Sequence, residues 1–367
     1  MPTGRKTRVL IVDDSAIVRK ILAEALAGEV DLEVVGTAPD PYVARDKILT
    51  LQPDVLTLDI EMPRMDGLTF LKKLMQFHPL PTVVISSLAQ PSCRAALEAL
   101  EFGAVEVLAK PGGPYSVGEL RHTLAEKIRA AAASRPRPAT VAASPVAPAA
   151  APTPAPADRS FLPPETVIAI GASTGGTEAI ASVLLRLPAN TPGILVTQHI
   201  PPGFSRAFAE RLNANCRMDV KEAEDGDALR DGLALVAPGD FHMVLRRAAG
   251  RFIVNVRKGP RVCYQRPSVD VLFQSVSETA AARAIGVLLT GMGSDGAQGL
   301  LRMRQAGAHT IAQDEASCVV FGMPREAIAL GAAAQVLPLS AVAAAILSPR
   351  RVRATLDSAS TTSRLLQ

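Results

Sequence analysis

The chain has 367 residues, of which 48% are hydrophobic and 20% charged, and its formal net charge is +4. This length suits two ordinary domains, and the composition predicts soluble globular material and excludes a disordered or fibrous chain. Aromatic residues make up 4% of the sequence, with no tryptophan, so little is available for stacking nucleic-acid bases. No stretch approaches the roughly 20 apolar residues of a membrane span. We expect no nucleic-acid partner and no membrane insertion.

Cysteine usage and the N-terminus bear on the cellular compartment. The basic start Met1–Arg8 leads into a short apolar run that Asp13 and Asp14 end, so it does not fit a secretory signal. No cysteine belongs to a CxxC pair or has a histidine at ligand spacing, which predicts free thiols and a cytoplasmic location. The four cysteines are Cys93, Cys216, Cys263 and Cys318.

A tract rich in alanine, proline, serine and threonine divides the chain at about residues 131–164. Proline at this density opposes both helix and sheet, and the tract has too little hydrophobic bulk to offset the entropy of ordering. We predict a flexible linker there. It separates a first domain at 1–130 from a second at 165–348, and a basic tail follows at 349–367.

Short apolar runs and helical periods alternate along the first domain. Five strands alternating with helices predict a parallel sheet covered on both faces, a doubly wound α/β fold of the flavodoxin type. Ligands bind such folds beyond the carboxyl ends of the strands. The predicted strands are 8–12, 33–37, 55–59, 82–86 and 105–109, and the predicted helices are 16–27, 42–51, 68–77, 92–101 and 117–133.

Polar side chains stand at the ends of these predicted strands. Asp13 and Asp14 follow the first strand, Asp59 ends the third, Ser86 ends the fourth and Lys110 follows the fifth. Three carboxylates at one edge repel one another unless a cation joins them, and oxygen ligands suit Mg²⁺. We predict a phosphoryl site with Asp59 as the nucleophile. Helix N-capping is the alternative for any one of these acids, but it does not account for the whole set.

Four motifs carry these residues: IVDDS (11–15), LDIEMPRMDGL (58–68), ISS (85–87) and LAKP (108–111). Together they resemble the receiver domain of two-component response regulators, over about residues 5–130. The resemblance implies that Asp59 accepts a phosphoryl group from a histidine kinase and that phosphorylation depends on Mg²⁺.

The same resemblance implies roles for the neighbouring residues. Many receivers have an aromatic switch residue three positions before the lysine, and here that residue is Val107, so we expect the signal to leave through another face. The implied metal site is Asp14, Asp59 and the main-chain carbonyl of Glu61 with Asp13 close by, and the implied phosphoryl-binding residues are Ser86 and Lys110.

The second domain also alternates strands and helices, which predicts a Rossmann-like parallel sheet with an added β-hairpin. The hairpin is predicted at 242–258, turning at 248–250. The predicted strands are 167–170, 194–198, 233–238 and 285–291, and the predicted helices are 178–187, 204–215 and 297–305.

Ser173 lies in a glycine-rich turn between the first predicted strand and helix of this domain. Small neighbours permit a close substrate approach, and the helix N-terminus offers N–H groups to a negative charge. That location suits a nucleophile. A phosphate-binding turn is an alternative, although GASTGG does not fit GxGxxG. A plain N-cap serine is another.

Two further residues make a triad possible. His199 follows the next predicted strand, and Asp295 lies in a glycine-rich loop after a later one, so nucleophile, base and orienting carboxylate share one sheet edge. His242 and His309 are the competing histidines; the first opens the hairpin and the second precedes an apolar segment, settings that are more often structural. Spacing alone leaves the triad and these alternatives open.

Six motifs extend through nearly all of residues 165–345: GASTGGTEAI (171–180), QHIPPGFSRAFAERL (198–212), APGDFHM (237–243), RPSVDVLF (266–273), LLTGMGSDGAQGL (288–300) and QDEASCVVFGMPREAI (313–328). They resemble the chemotaxis protein-glutamate methylesterase (CheB) family, in which a receiver also comes first. The resemblance implies Ser173 as nucleophile, His199 as general base and Asp295 as its orienter. It further implies an oxyanion region at Thr174 and Met292.

The two resemblances together imply a phosphorylation-activated hydrolase. Its expected substrates are glutamyl methyl esters on chemoreceptors, with glutamine deamidation as a second activity and no cofactor for hydrolysis. The unphosphorylated receiver is expected to cover the catalytic crevice. A methylesterase-like regulator of a non-flagellar sensory pathway and a non-catalytic, phospho-regulated binding module are the alternative functions.

Overall fold

The structure is a computed structural model that describes residues 5–110, 117–134, 162 and 165–348. Its contacts form two compact units, one built on a five-stranded sheet and the other on a seven-stranded sheet. The prediction of two parallel-sheet α/β bodies with a hairpin is therefore confirmed. The predicted linker, apart from residues 131–134 and 162, and the whole predicted tail lie outside the described residues.

The five-stranded sheet is parallel throughout, with strand order β2-β1-β3-β4-β5. Each predicted strand and helix of this unit is present. The strands are β1 (Thr7–Val12), β2 (Leu32–Ala38), β3 (Val55–Asp59), β4 (Thr82–Ser86) and β5 (Glu106–Ala109), and the helices are α1 (Ala16–Leu26), α2 (Pro41–Leu51), α3 (Gly67–Phe77), α4 (Gln90–Glu101) and α5 (Val117–Ala133).

Capping side chains determine where three of these helices begin. Ser15 accepts a hydrogen bond from the main-chain N–H of Val18 at the start of α1, and Asp40 accepts from two N–H groups at the start of α2. Asp66 does the same for Thr69 in α3. Each satisfies a donor that the first helical turn leaves without a partner. These caps therefore fix the residues at which the three helices begin. The polar strand ends lie at one edge because all the strands of the sheet are parallel.

Gly67 shows how tightly one of these turns is packed. Its N–H donates to the carbonyl of Ile60 at 2.8 Å. A Cβ at this position would lie 2.0 Å from the main-chain oxygen of Asp59, which is far inside van der Waals contact. Only glycine fits between α3 and the end of β3 without a shift of the backbone.

The seven-stranded sheet is also parallel, with order β14-β13-β12-β6-β7-β9-β8, and β10 and β11 form a separate antiparallel hairpin. Its strands are β6 (Val167–Ala172), β7 (Ile194–Gln198), β8 (Asp219–Glu222), β9 (Leu233–Val236), β10 (His242–Ala248), β11 (Arg251–Arg257), β12 (Ala284–Leu288), β13 (His309–Gln313) and β14 (Gln335–Leu337). Its helices are α6 (Gly176–Leu184), α7 (Phe204–Asn215), α8 (Val269–Thr279), α9 (Ala297–Gln305), α10 (Met323–Ala329) and α11 (Leu339–Leu347).

The structure differs from the predicted pattern of the second unit in several elements and element ends, among them helix 178–187, which is observed at Gly176–Leu184, and strand 233–238, which ends at Val236. Strands β8, β13 and β14 and helices α8, α10 and α11 were not predicted. The predicted strand 285–291 ends at Leu288, because beyond it the Thr290 N–H turns to the Gln313 side chain at 2.8 Å and Gly291 makes an isolated bridge to Phe321. The predicted hairpin is confirmed, and Ala249 and Gly250 at its turn both have positive φ.

Helix α8 lies between the sheet and the hairpin and connects their apolar sides. Its residues Leu272, Phe273 and Val276 are fully buried in a cluster with Met243 and Leu245 of β10. Burying side chains of this size contributes roughly 1.5–3 kcal/mol each. This packing fixes the start of α8 at the carboxyl end of the sheet. Among the residues that the structure describes, no helix is long and apolar enough to cross a bilayer.

Candidate active sites

The first candidate site is centred on Asp59, which is fully buried at the end of β3. Lys110 Nζ donates to Asp59 Oδ2 at 2.7 Å, and the N–H of Glu61 donates to Oδ1 at 3.1 Å. The same ammonium lies 3.7 Å from Asp13 Oδ2. The predicted convergence of acid and lysine at this edge is present in the geometry.

Three carboxylates meet at this edge. Ligand oxygens of Asp13, Asp14 and Asp59 all lie within 4.8 Å of one another. Burial raises the pKa of Asp13 and raises the pKa of Asp59 to about 6, because the charged forms lose solvation. Asp13 Oδ2 is buried and has no hydrogen-bond partner among the described residues. An oxygen-only donor set with one such oxygen fits Mg²⁺.

The remaining predicted residues of this site have other partners. Ser86 is buried, and its hydroxyl donates to the carbonyl of Ser92 at 3.3 Å. The carboxylate of Glu61 accepts from the hydroxyls of Ser92 and Ser87, so this side chain turns towards α4. Val107 is buried in β5 beside Val84 of β4. A small aliphatic side chain packed in the sheet has no ring to reorient.

Ser173 and His199 immediately follow two neighbouring strands. In the β6–β7 register Ala172 pairs with Gln198, so the next residue on each strand is a predicted catalytic residue. Ser173 is 3% exposed and His199 is 6% exposed. Gly175 has φ of 75°, a conformation that side chains disfavour, and it allows the chain to close a tight turn before α6.

Gly171, another residue of the predicted turn, is small for a different reason. A Cβ there would lie 2.2 Å from Cγ1 of Val269, the first residue of α8. A Cβ at Gly296 would lie 2.6 Å from the same atom. Val269 is fully buried between the two glycines. These glycines therefore allow close packing of helix α8 against the strand ends.

Thr174 belongs to a buried polar cluster that the sequence did not reveal. Contacts group Ser173–Glu178 with the first compact unit. Within that unit Thr174 Oγ1 donates to Glu106 Oε2 at 2.9 Å. Lys127 Nζ donates to the same Glu106 oxygen at 2.7 Å, and the two charged side chains are 7% and 9% exposed. The one available signal was Glu106 itself, a charged residue within the apolar strand VEVLA.

Asp295 lies in the loop between β12 and α9, and β12 is the neighbour of β6. Its Oδ1 accepts from the Ser268 hydroxyl at 2.8 Å and from the Asp270 N–H at 3.0 Å, while Oδ2 accepts from the Val269 N–H at 2.7 Å. The carboxylate therefore sits at the N-terminus of α8, where the helix dipole favours negative charge.

Met292 occupies the same loop and is half-buried. The carbonyl of Gly291 accepts from the N–H groups of Gly322 and Met323 at 3.0 and 2.8 Å. A Cβ at Gly322 would lie 3.0 Å from Met292 Cα. The start of α10 thus holds the main chain at Met292 in place. The position of the Met292 N–H, the proposed oxyanion donor, depends on this main chain.

The two competing histidines differ in their surroundings. His242 Nε2 lies 2.8 Å from the carbonyl of Pro260, and its Nδ1 accepts from the N–H of Ser268 at 3.2 Å. Burial lowers the pKa of His242. His309 opens β13 opposite Ile285 of β12. Neither follows β6 or β7. The four cysteines are free, as predicted.

Comparison with known proteins agrees with both halves of this description. The family model for the response regulator receiver domain matches residues 9–122, and that for CheB methylesterase matches residues 168–346. A protein-glutamate methylesterase/protein-glutamine glutaminase from Syntrophus aciditrophicus is 55% identical, covering 92% of this chain and 97% of its own. A protein of that name from Chromohalobacter salexigens is 54% identical, covering 94% and 96%.

Among solved structures, the catalytic domain of Thermotoga maritima CheB methylesterase is 38% identical, with a TM-score of 0.49, over 50% of this chain and 97% of that one. Sequence, sheet topology and strand-end residues define a response-regulator receiver followed by a parallel-sheet α/β domain of the CheB methylesterase type. The chain belongs to the CheB methylesterase family.

Proposed function

We propose that this chain is a phosphorylation-activated protein-glutamate methylesterase. Its substrates would be glutamyl methyl esters on methyl-accepting chemotaxis receptors, and it would also deamidate glutamine side chains, the activities for which its relatives are named. The observation that carries the proposal is the sheet order β12-β6-β7, because Asp295, Ser173 and His199 follow these three strands.

Hydrolysis proceeds through an acyl-enzyme in this proposal. His199 removes the proton from the Ser173 hydroxyl, and the oxygen attacks the γ-carbonyl of the methyl ester. Main-chain N–H groups of Thr174 and Met292 stabilise the oxyanion. Methanol leaves with the proton from His199, and water, deprotonated by the same imidazole, releases the glutamate. Asp295 orients the imidazole.

The receiver supplies the control. Asp59 takes a phosphoryl group from a histidine kinase, and Ser86 and Lys110 bind the phosphoryl oxygens. Asp13, Asp14, Asp59 and the Glu61 carbonyl would hold Mg²⁺, which when bound offsets the negative charge of the aspartates and the phosphoryl group. Phosphorylation raises the rate of hydrolysis. The free cysteines support a cytoplasmic site of action.

Methanol release from methylated receptor membranes, with and without acetyl phosphate and Mg²⁺, tests both parts. Ser173→Ala should abolish release but retain phosphorylation of Asp59, whereas the exposed Ser340→Ala should behave as wild type. Asp59→Asn should retain basal release and lose activation. Hydrolysis by Ser173→Ala would refute the nucleophile, and a wild-type rate that phosphodonor leaves unchanged would refute the control. A wild-type chain that releases no methanol would favour a binding module.

A further inference from the structure

We propose that Ser268, held by His242, is a positioning residue that fixes the Asp295 carboxylate in its working orientation. The inference rests on the proposed role of Asp295 and adds two residues to that site. Among the described contacts of Asp295, Ser268 supplies the side-chain hydrogen bond, at 2.8 Å, and the other two donors are main-chain groups. Both Ser268 and Asp295 are almost completely buried.

The geometry fixes the direction of the Ser268 hydroxyl. Ser268 is the N-cap of α8, and its oxygen accepts from the N–H of Val271 at 3.4 Å. The hydroxyl proton is therefore available to donate to Asp295, which is an acceptor only when ionised. A carboxylate offers about four acceptor positions, so an imidazole N–H can be accepted beside the three donors from residues 268–270.

His242 holds Ser268 from the other side. The N–H of Ser268 can only donate, and it points at His242 Nδ1 at 3.2 Å. The carbonyl of Pro260 can only accept, and it lies 2.8 Å from Nε2. The ring must therefore be neutral, with its proton on Nε2. Burial, which lowers the pKa of His242, favours the same state.

Packing restricts the remaining freedom of this network. Val269, whose N–H binds Asp295, is enclosed by Gly171 and Gly296. A Cβ at Gly259 would lie 3.2 Å from Cδ2 of His242, so Gly259 also packs closely against the ring. The first turn of α8 is thus held by close packing while its donors face Asp295.

A second carboxylate, that of Asp270, lies close to Asp295. Ligand atoms of Asp270, Cys263 and Asp295 lie within 4.8 Å of one another. Burial, followed by the charge of Asp295, raises the pKa of Asp270 to about 6. Other charges that face the network are Arg302 near Asp270 and Arg257 and Arg266 near His242. The Ser268 donor stabilises the charge on Asp295 against its acidic neighbour.

The test is steady-state methanol release by Ser268→Ala as a function of pH. We expect kcat to fall about 10- to 100-fold with KM unchanged, the range typical when a group that hydrogen-bonds and orients a functional side chain is removed. We also expect the acid limb of kcat to move to higher pH, because loss of the donor lets Asp295 take up a proton more readily. Ser268→Thr, which keeps the hydroxyl, should restore both.

A purely structural N-cap gives a different result. It would lower the melting temperature of Ser268→Ala but leave the pH profile unmoved, and that outcome overturns the proposal. If Ser268→Ala does not fold, His242→Asn replaces it in the same assay, because it retains an acceptor for the Ser268 N–H. The acid limb of its kcat profile should move in the same direction by a smaller amount. The double variant Ser268→Ala with Asp295→Asn should have the same kcat as Asp295→Asn alone. Additive losses of kcat would contradict the positioning role.

The same assay separates this inference from the proposed function. Activity that survives in Ser173→Ala removes the proposed function itself. If Ser173→Ala and Asp295→Asn are inactive while Ser268→Ala keeps the wild-type kcat and pH profile, the reaction stands and the positioning role alone fails.

Discussion

Lys110 Nζ lies 2.7 Å from Oδ2 of Asp59, which makes the lysine the direct counter-charge of the proposed phosphoryl acceptor. Hydrogen bonding and charge from Asp59 and Asp13 raise the pKa of Lys110 against the opposing effect of burial. The lysine is therefore ionised throughout the working pH range, and its removal leaves two buried carboxylates without this partner.

Lys110→Ala should destabilise the chain by about 1–3 kcal/mol, because the buried Asp59 carboxylate loses a hydrogen-bond partner. Phosphorylation by acetyl phosphate should slow as well. Urea denaturation and phosphoryl incorporation measure the two effects. Lys72→Ala is the matched control, since its pair with Glu98 is about half exposed and should contribute less than about 1 kcal/mol. Equal effects of the two variants would contradict a special role for Lys110.

Mg²⁺ bound at the acidic cluster should raise the melting temperature of the chain, and the rise should grow with the logarithm of the Mg²⁺ concentration above the dissociation constant. At about 100 times its dissociation constant, a ligand specific for the folded state adds about 2.7 kcal/mol. Asp14→Asn should weaken this response because it removes the charge of one of the three clustered carboxylates, and Asp14 is the exposed one of the three. Asp46→Asn removes an exposed acid elsewhere and should not. A full Mg²⁺ response from Asp14→Asn would exclude that aspartate as a ligand.

The buried pair of Lys127 and Glu106 should show strong coupling. Lys127→Met should destabilise the chain by about 3–5 kcal/mol, because it leaves a buried carboxylate whose remaining described partners, the Thr174 hydroxyl and the Val107 N–H, carry no charge. The double variant with Glu106→Leu should recover most of that loss. A double-mutant cycle by chemical denaturation gives the coupling energy directly. Additive single effects would mean that the pair is not a unit.

Acid should weaken the second unit through His242. Its pKa is lowered in the folded chain from an ordinary value of 6.5, so the unfolded chain binds the proton more readily below that pH. This contribution to stability is complete above pH 6.5 and is lost as the pH falls towards the folded value, by at most about 1.4 kcal/mol per pH unit.

The raised pKa of Asp270 acts in the opposite direction, because it adds stability as the pH falls from about 6 towards 3.8. The difference in unfolding free energy between wild type and His242→Asn therefore isolates the histidine. It should be constant above pH 6.5 and change only below it. A difference that is constant from pH 5 to 8 would show that His242 is not held neutral.

The first site could be inferred from sequence because its residues follow short, continuous apolar runs, which are typical of the buried strands of a parallel sheet. Asp59 and Lys110 are 51 positions apart, but parallel strands bring their ends to one edge whatever the separation. The sequence also located the hairpin, since a turn that contains Gly250 separates two apolar runs. The positions of the apolar runs thus predicted which side chains share the carboxyl edge of the sheet.

Other parts of the fold depend on tertiary contacts that no local pattern reports. Strand β8 reads DVKE and lies at the sheet edge, so it lacks an apolar run. Helix α11 is nearly all apolar and has no polar face to reveal its period. Glu106 and Thr174, which are 68 positions apart, meet through packing, and the 27 positions between Ser268 and Asp295 are closed in the same way.

The missing Cβ of Gly67 also matters for reading sequence variation. Saturation mutagenesis should find this position as intolerant as Asp59, since every replacement drives an atom into the Asp59 carbonyl. The mutagenesis data would then make Gly67, which has no reactive group, look like a residue that takes part in phosphotransfer. Intolerance at position 67 records a lack of room beside the acceptor.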